Sequence, residues 1–119
     1  MDITYSTDYG ILEVAPTGKL TKSDFQHLSK EIDHIRQSGR ELEGVLVYTK
    51  DFPGYEEFSD LIAHGEFVKQ HHDKINKLAF CTDSKIGGLL ETIADAYADA
   101  EAKRFSYDEK DEAEKWLLS

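Results

Sequence analysis

The chain has 119 residues with 14 basic and 24 acidic side chains, and the net charge of −10 disfavours nucleic-acid binding, which needs clustered Lys and Arg. The same charge disfavours electrostatic binding to an anionic membrane surface. A hydrophobic fraction of 39% is enough for one modest core, so a single domain spanning residues 1–119 is expected.

Cysteine content and apolar patterning bear on location. Cys81 is the only cysteine, which excludes an intrachain disulfide and fits a reducing compartment. The first ten residues lack the basic and apolar regions of a signal peptide. No apolar run approaches the ~18 residues that a membrane-spanning helix needs. We therefore expect a cytoplasmic protein that is not an integral membrane protein.

The sequence opens with a predicted hairpin and a helix. Residues 3–6 and 11–15 are strand-like and are separated by a turn signal, which predicts an antiparallel pair. Thr21 followed by Asp24 predicts a helix start, because the Thr hydroxyl can accept a free backbone N–H there. Gly39 is predicted to end this helix.

The rest of the chain alternates strands with helices. Short apolar runs at 44–49 and 78–82 predict strands covered on both faces. The other predicted elements are a long helix over 55–75, a helix capped by Asp83 and Ser84, a strand over 104–107 and a helix starting at Asp108. The order β-β-α-β-α-β-α-β-α predicts an α/β domain with a mixed, mostly parallel sheet flanked by helices.

Each predicted helix has an apolar face at spacings of three and four residues. In chain order these faces are Phe25, Leu28, Ile32 and Ile35; Phe58, Leu61, Ile62, Gly65 and Val68; Ile86, Leu89, Leu90, Ile93 and Tyr97; and Ala113, Trp116 and Leu117.

The order of elements resembles the STAS domain, and four segments resemble the SpoIIAA-like family of small bacterial proteins with STAS- or SEC14-type domains. These segments are residues 51–56, 67–75 and 77–83, and the ending from Arg104-Phe105 to 112–117. The resemblance implies a bacterial cytoplasmic protein and does not imply an enzyme. The SEC14 likeness implies that an apolar ligand could enter between a helix and the sheet, an analogy at the level of the fold.

The sequence departs from the regulatory STAS pattern at one place. Regulatory STAS domains are phosphorylated on a Ser or Thr where the helix after the third strand begins. Here that place is Phe52-Pro53-Gly54-Tyr55-Glu56-Glu57, which contains neither residue type, and its two Glu already offer negative charge to the helix N-terminus. We interpret this stretch as a fixed structural lip rather than a phosphorylation switch.

Histidines form one metal-like pattern. Asp60 and His64 share a helical face, and His71 lies two turns further, beside His72. Zinc sites need three or four ligands that close around the ion, and one helix rarely supplies them. We favour a solvated helix end and predict no metal and no cofactor.

Two features next to the fourth strand have competing interpretations. Cys81 lies in an apolar strand, where a thiol behaves as a small hydrophobic side chain with a raised pKa. Residues 83–88 follow a strand and open a helix, as phosphate-binding loops do, but lack a phosphate-binding glycine motif. We favour a capped helix start in which Gly87 and Gly88 allow close approach to the sheet.

Three hypotheses for function remain open. The first is a non-enzymatic STAS-like binding or regulatory module that acts through a protein partner or as a homodimer. The alternative is a small apolar-ligand or lipid carrier with a SEC14-like cleft between the second helix and the sheet. An enzyme using Asp51, His64 or Cys81 is the third, but no catalytic set is apparent. The predicted ligand- or partner-binding residues are Asp51, Phe52, Tyr55, Phe58, Phe67, Asp83 and Ser84.

Overall fold

The computed structural model describes residues 2–6, 9–16, 18, 21–52, 77–96 and 101–119. The strands are β1 (Asp2–Ser6), β2 (Ile11–Ala15), β3 (Gly44–Tyr48), β4 (Lys77–Cys81) and β5 (Glu101–Phe105). The helices in this part of the chain are α1 (Lys22–Gln37), α2 (Gly87–Ala96) and α3 (Lys110–Leu117). The helix predicted over 55–75 lies outside the described residues.

The five strands form one sheet in the order β1-β2-β3-β4-β5. β1 pairs antiparallel with β2, and Gly10 in the turn between them adopts φ +70°, which favours glycine. β2, β3, β4 and β5 run parallel, with Leu12 opposite Val45 and Val47 opposite Phe80. The predicted mixed, mostly parallel α/β fold is confirmed.

Local signals place α1 as the sequence predicts. The N–H of Asp24 donates to the Thr21 hydroxyl over 3.3 Å, and the Thr21 N–H donates to the Asp24 carboxylate over 2.9 Å. Each side chain thus satisfies a backbone donor at the helix start. The helix ends at Gln37, and Gly39 follows with φ +81°. Leu28, Ile32 and Ile35 are buried, whereas the side chain of Phe25 lies outside the described part.

The sheet separates two clusters of buried side chains. On one face, α1 and α2 pack against β2, β3 and β4. On the other face lies a smaller cluster beneath α3, made of Ile11, Leu46, Ala79, Cys81, Phe105, Ala113 and Leu117. Gly44 permits this packing, because a Cβ there would lie 2.6 Å from a Leu117 methyl carbon. Trp116 is half-buried, so the predicted inner face of the last helix is confirmed.

The bounds of β5 differ from the prediction. β5 ends at Phe105, and Tyr107 already belongs to a turn, so the strand predicted over 104–107 is misplaced. β5 is an edge strand, and its Glu101 and Lys103 are exposed. Charged side chains are tolerated at a sheet edge, so the strand lacks the hydrophobic alternation on which the prediction relied.

The start of α2 also corrects the prediction. The helix begins at Gly87, and the Ser84 hydroxyl accepts a hydrogen bond from the backbone of another loop rather than capping the helix. Among the described residues outside the backbone of α2 itself, no atom lies within 4 Å of a Cβ placed on Gly87 or Gly88, so these glycines do not serve close approach to the described sheet. The predicted apolar face of α2 is otherwise confirmed, because Ile86, Leu89 and Ile93 are buried and Leu90 is half-buried. Tyr97 lies outside the described residues.

Candidate functional site

Two loops meet where β3 and β4 end. We call residues 49–52 and 82–85 together the loop face. The Lys50 carbonyl accepts hydrogen bonds from the Asp83 N–H and from the Thr82 hydroxyl, each over 3.0 Å. The Phe52 N–H donates to the Ser84 hydroxyl over 2.9 Å. Because β3 and β4 run parallel, the loops that follow them emerge at the same end of the sheet.

A third loop supports the loop face from the side of β5. The Tyr107 N–H donates to the Asp83 carboxylate over 3.0 Å. The Arg104 guanidinium donates to the Thr82 carbonyl over 2.8 Å, and the Thr82 N–H donates to the Phe105 carbonyl over 2.9 Å. Thr82 is fully buried, and its polar groups bond to neighbouring strands and loops. These bonds join residues 82 and 83 of the loop face to β5 and to the turn that follows it.

The predicted site residues occupy different environments. Phe52 is 4% exposed and packs on Phe80, with ring centroids 6.1 Å apart, so its side chain belongs to the core. Ser84 is half-buried, and Asp51 and Asp83 are exposed. The structure therefore brings four of the predicted residues together at the end of the sheet where β3 and β4 finish. Of these, Asp51 and Asp83 lie at the surface. Tyr55, Phe58 and Phe67 lie outside the described residues.

Charged side chains surround the exposed part of the loop face. Lys50 and Lys85 are exposed on the same two loops as Asp51 and Asp83. The loop face therefore presents both signs of charge on a backbone held by hydrogen bonds. Such a surface can contact a charged partner without ordering its own backbone first.

A pair of stacked tyrosines lies between the loop face and α3. The ring centroids of Tyr48 and Tyr107 are 4.7 Å apart, and the angle between the two ring planes is 11°. The Lys110 ammonium lies 4.7 Å from the centroid of the Tyr48 ring. The pKa of Tyr48 is raised to about 12, mainly by a hydrogen bond with Tyr107 and to a smaller extent by burial. Lys110 also contacts the Glu13 carboxylate at 2.6 Å. Sequence reasoning missed this cluster, because no local pattern links residues that lie on β2, on β3, in the turn before α3 and on α3.

Cys81 lies fully buried beneath α3. Its thiol donates to the Ser106 carbonyl over 3.4 Å. Burial, and secondarily the Glu109 carboxylate, raise the pKa of Cys81 to about 11. A nucleophilic thiol needs a lowered pKa and an accessible sulfur, so this environment is that of a core residue. The predicted burial of Cys81 in the core is confirmed.

Other candidate sites give little. Within the described ranges, no group of three or more His, Cys, Asp or Glu is placed to hold a metal ion. Asp60, His64, His71 and His72 lie outside those ranges. An open cavity of about 440 Å³ lies at the opposite edge of the sheet, where α1 leads into β3, and is lined by Arg36, Gly39, Arg40, Glu41, Leu42 and Glu43. None of the helices in the described part is long and apolar enough to cross a bilayer.

The mixed five-stranded sheet, flanked by helices on both faces, places the protein in the STAS-like class of α/β domains. The family model for SpoIIAA-like proteins matches residues 11–118. The chain therefore belongs to the SpoIIAA-like family, as the sequence resemblance indicates. Neither the curated proteins nor the solved structures gave a match to this chain.

Proposed function

We propose that this protein is a non-enzymatic binding or regulatory module whose loop face contacts a protein partner or a second copy of the chain. One observation carries the proposal. The backbone of residues 49–52 and 82–85 is tied together by hydrogen bonds, while Lys50, Asp51, Asp83 and Lys85 remain exposed. Pre-organised surfaces bind with less loss of conformational entropy.

Membership of the SpoIIAA-like family supports a STAS-like module. The burial of Cys81 supports a role other than catalysis, because the thiol lies within the core beneath α3. A catalytic site would need a nucleophile, a base and an orienting group in mutual contact. The Cys81 sulfur instead contacts the backbone carbonyl of Ser106.

The carrier alternative depends on the helix predicted over 55–75, which the structure does not describe. One described residue weighs against it. Phe52, a predicted ligand-binding residue, packs its ring on Phe80 within the core instead of lining an open cleft. This favours the partner proposal over the carrier.

The test reverses charge on the loop face without changing the net charge. The double variant Lys50→Glu, Asp51→Lys swaps two exposed side chains. The control Glu112→Lys, Lys115→Glu swaps the exposed ion pair on α3, whose atoms lie 3.7 Å apart. Circular dichroism and urea unfolding verify that both variants fold.

Native mass spectrometry and quantitative affinity capture then compare wild type with both variants. We expect the loop-face variant to lose a captured protein or the homodimer, and the control to retain it. Equal binding by all three forms contradicts the proposal. Excess mass that disappears on denaturation, and that is equal in all three forms, would instead favour the carrier.

A further inference from the structure

The two faces of the sheet differ in how they are covered. Within the described residues, one face is covered by α1 and α2, whereas the other is covered by α3 alone. α3 has only eight residues, of which Ala113 and Leu117 are buried. A helix this short is not stable in water without tertiary packing. α3 therefore persists only while it is docked on the sheet.

A contact made by a lysine joins each end of α3 to a strand. At its first residue, the Lys110 ammonium contacts Glu13 of β2 at 2.6 Å. At its far end, the Lys77 ammonium of β4 donates to the Trp116 carbonyl over 3.1 Å and to the Ser119 carbonyl over 2.7 Å. We call these contacts the two latches. The side chains of Lys110 and Glu13 are 35% and 28% exposed, so solvent reaches the first latch.

The segment leading into α3 is anchored up to Tyr107. Its N–H is bonded to Asp83, and its ring stacks on Tyr48. Asp108 and Glu109, which follow, are exposed. The Glu109 N–H donates to the Ser106 carbonyl and the Ser106 N–H donates to the Glu109 carboxylate, each over 2.9 Å, so opening must break or strain these bonds. Movement about these two residues would lift α3 and leave the loop face and β5 in place. The thiol of Cys81, fully buried beneath the helix, would then reach solvent.

We propose that α3 is a latched cover, which opens as a unit about Asp108 and Glu109 while the rest of the fold stays intact, and which thereby controls access to the sheet face that contains Cys81. The two separate clusters of buried side chains allow it, because loss of the smaller cluster leaves the larger one packed. Local opening of this kind has a lower free energy than global unfolding. The inference does not depend on the proposed partner surface.

The single cysteine provides the measurement. The reaction of Cys81 with a disulfide reagent is followed in native buffer at increasing urea, and global unfolding is followed in parallel by circular dichroism. Local opening exposes little surface, so we expect the logarithm of the labelling rate to rise with urea at a much shallower slope than global unfolding. Lys110→Met should raise the native labelling rate roughly two- to fivefold, the range of a partly exposed ion pair.

Lys115→Met is the matched control, because Lys115 pairs with Glu112 within α3 and not with the sheet. It should leave the labelling rate unchanged. Hydrogen exchange of wild type gives a second readout, in which α3 amides should exchange faster than those of α1. The proposal is overturned if Cys81 reacts only with the urea dependence of global unfolding, or if α3 and α1 amides exchange at equal free energy.

Discussion

The backbone N–H of Phe52 donates a hydrogen bond to the hydroxyl of Ser84, 2.9 Å away and 32 residues later in the chain. This bond joins the loop that follows β3 to the loop that follows β4. Ser84 therefore stabilises the edge of the sheet rather than the helix that comes after it. The arrangement can be tested by removing a single oxygen atom.

Ser84→Ala should lower the free energy of unfolding by about 1 kcal/mol, the net contribution of one partly buried hydrogen bond. Urea unfolding measures the change. Ser23→Ala, on the exposed side of α1, is the control and should change stability by less than about 0.5 kcal/mol. Equal effects of the two substitutions would show that the bond between the loops contributes nothing.

Two glycines should respond to alanine with opposite signs. At Gly44, a Cβ would meet a Leu117 methyl carbon at 2.6 Å and the Lys77 carbonyl at 3.1 Å, so the buried Leu117 side chain, or α3 with it, would have to shift. Gly44→Ala should destabilise the protein by about 1–3 kcal/mol, as overpacked cores do. Gly88→Ala meets no atom within 4 Å among the described residues outside the backbone of α2, and it removes glycine from the first turn of a helix, so it should stabilise by about 0.5 kcal/mol. Thermal unfolding of both variants measures the sign, and destabilisation by Gly88→Ala would contradict the open geometry of α2.

What the sequence predicts correctly is local or follows from chain order. The Thr21–Asp24 cap needs only neighbouring residues, and the meeting of the two loops follows from parallel strands. The contact of Lys110 with Glu13 joins residues from the two ends of the chain, and no periodicity encodes it. The burial of Phe52 was missed for a similar reason, because Phe52 lies in a loop and its partner Phe80 lies on β4, far away in the sequence.

Phe52 and Asp51 are adjacent, yet their substitution should have separate effects. Phe52→Ala removes a ring that is 4% exposed, and should lower the free energy of unfolding by about 3–5 kcal/mol. Asp51→Ala changes an exposed side chain and should alter stability by less than about 0.5 kcal/mol. Urea unfolding separates the two variants. If the proposed loop-face contact exists, Asp51→Ala should weaken it with stability unchanged, whereas a large loss of stability would place Asp51 among the structural residues.

Alkaline pH should weaken the α3 side of the protein. The pKa of Cys81 is raised from 9.0 to about 11, chiefly by burial, and that of Tyr48 from 10.0 to about 12, chiefly by its hydrogen bond with Tyr107. The Glu13 carboxylate raises the pKa of Lys110 as well. A group with a raised native pKa holds its proton more tightly in the folded state, so its contribution is complete below the unfolded pKa and is lost as pH rises through the native one.

The stability contributed by Cys81 should therefore fall between pH 9 and about 11, and that of Tyr48 between pH 10 and about 12. Urea unfolding at a series of pH values measures the slope, and absorbance of the phenolate follows the tyrosines. Cys81→Ala removes one titrating group. In the unfolded chain the thiol loses its proton near pH 9 and the phenol near pH 10, so the variant should lose less stability than wild type between these two pH values. Parallel curves for the two proteins over that interval would mean that the buried thiol does not couple to folding, since only a group whose pKa differs between the folded and unfolded states makes stability depend on pH.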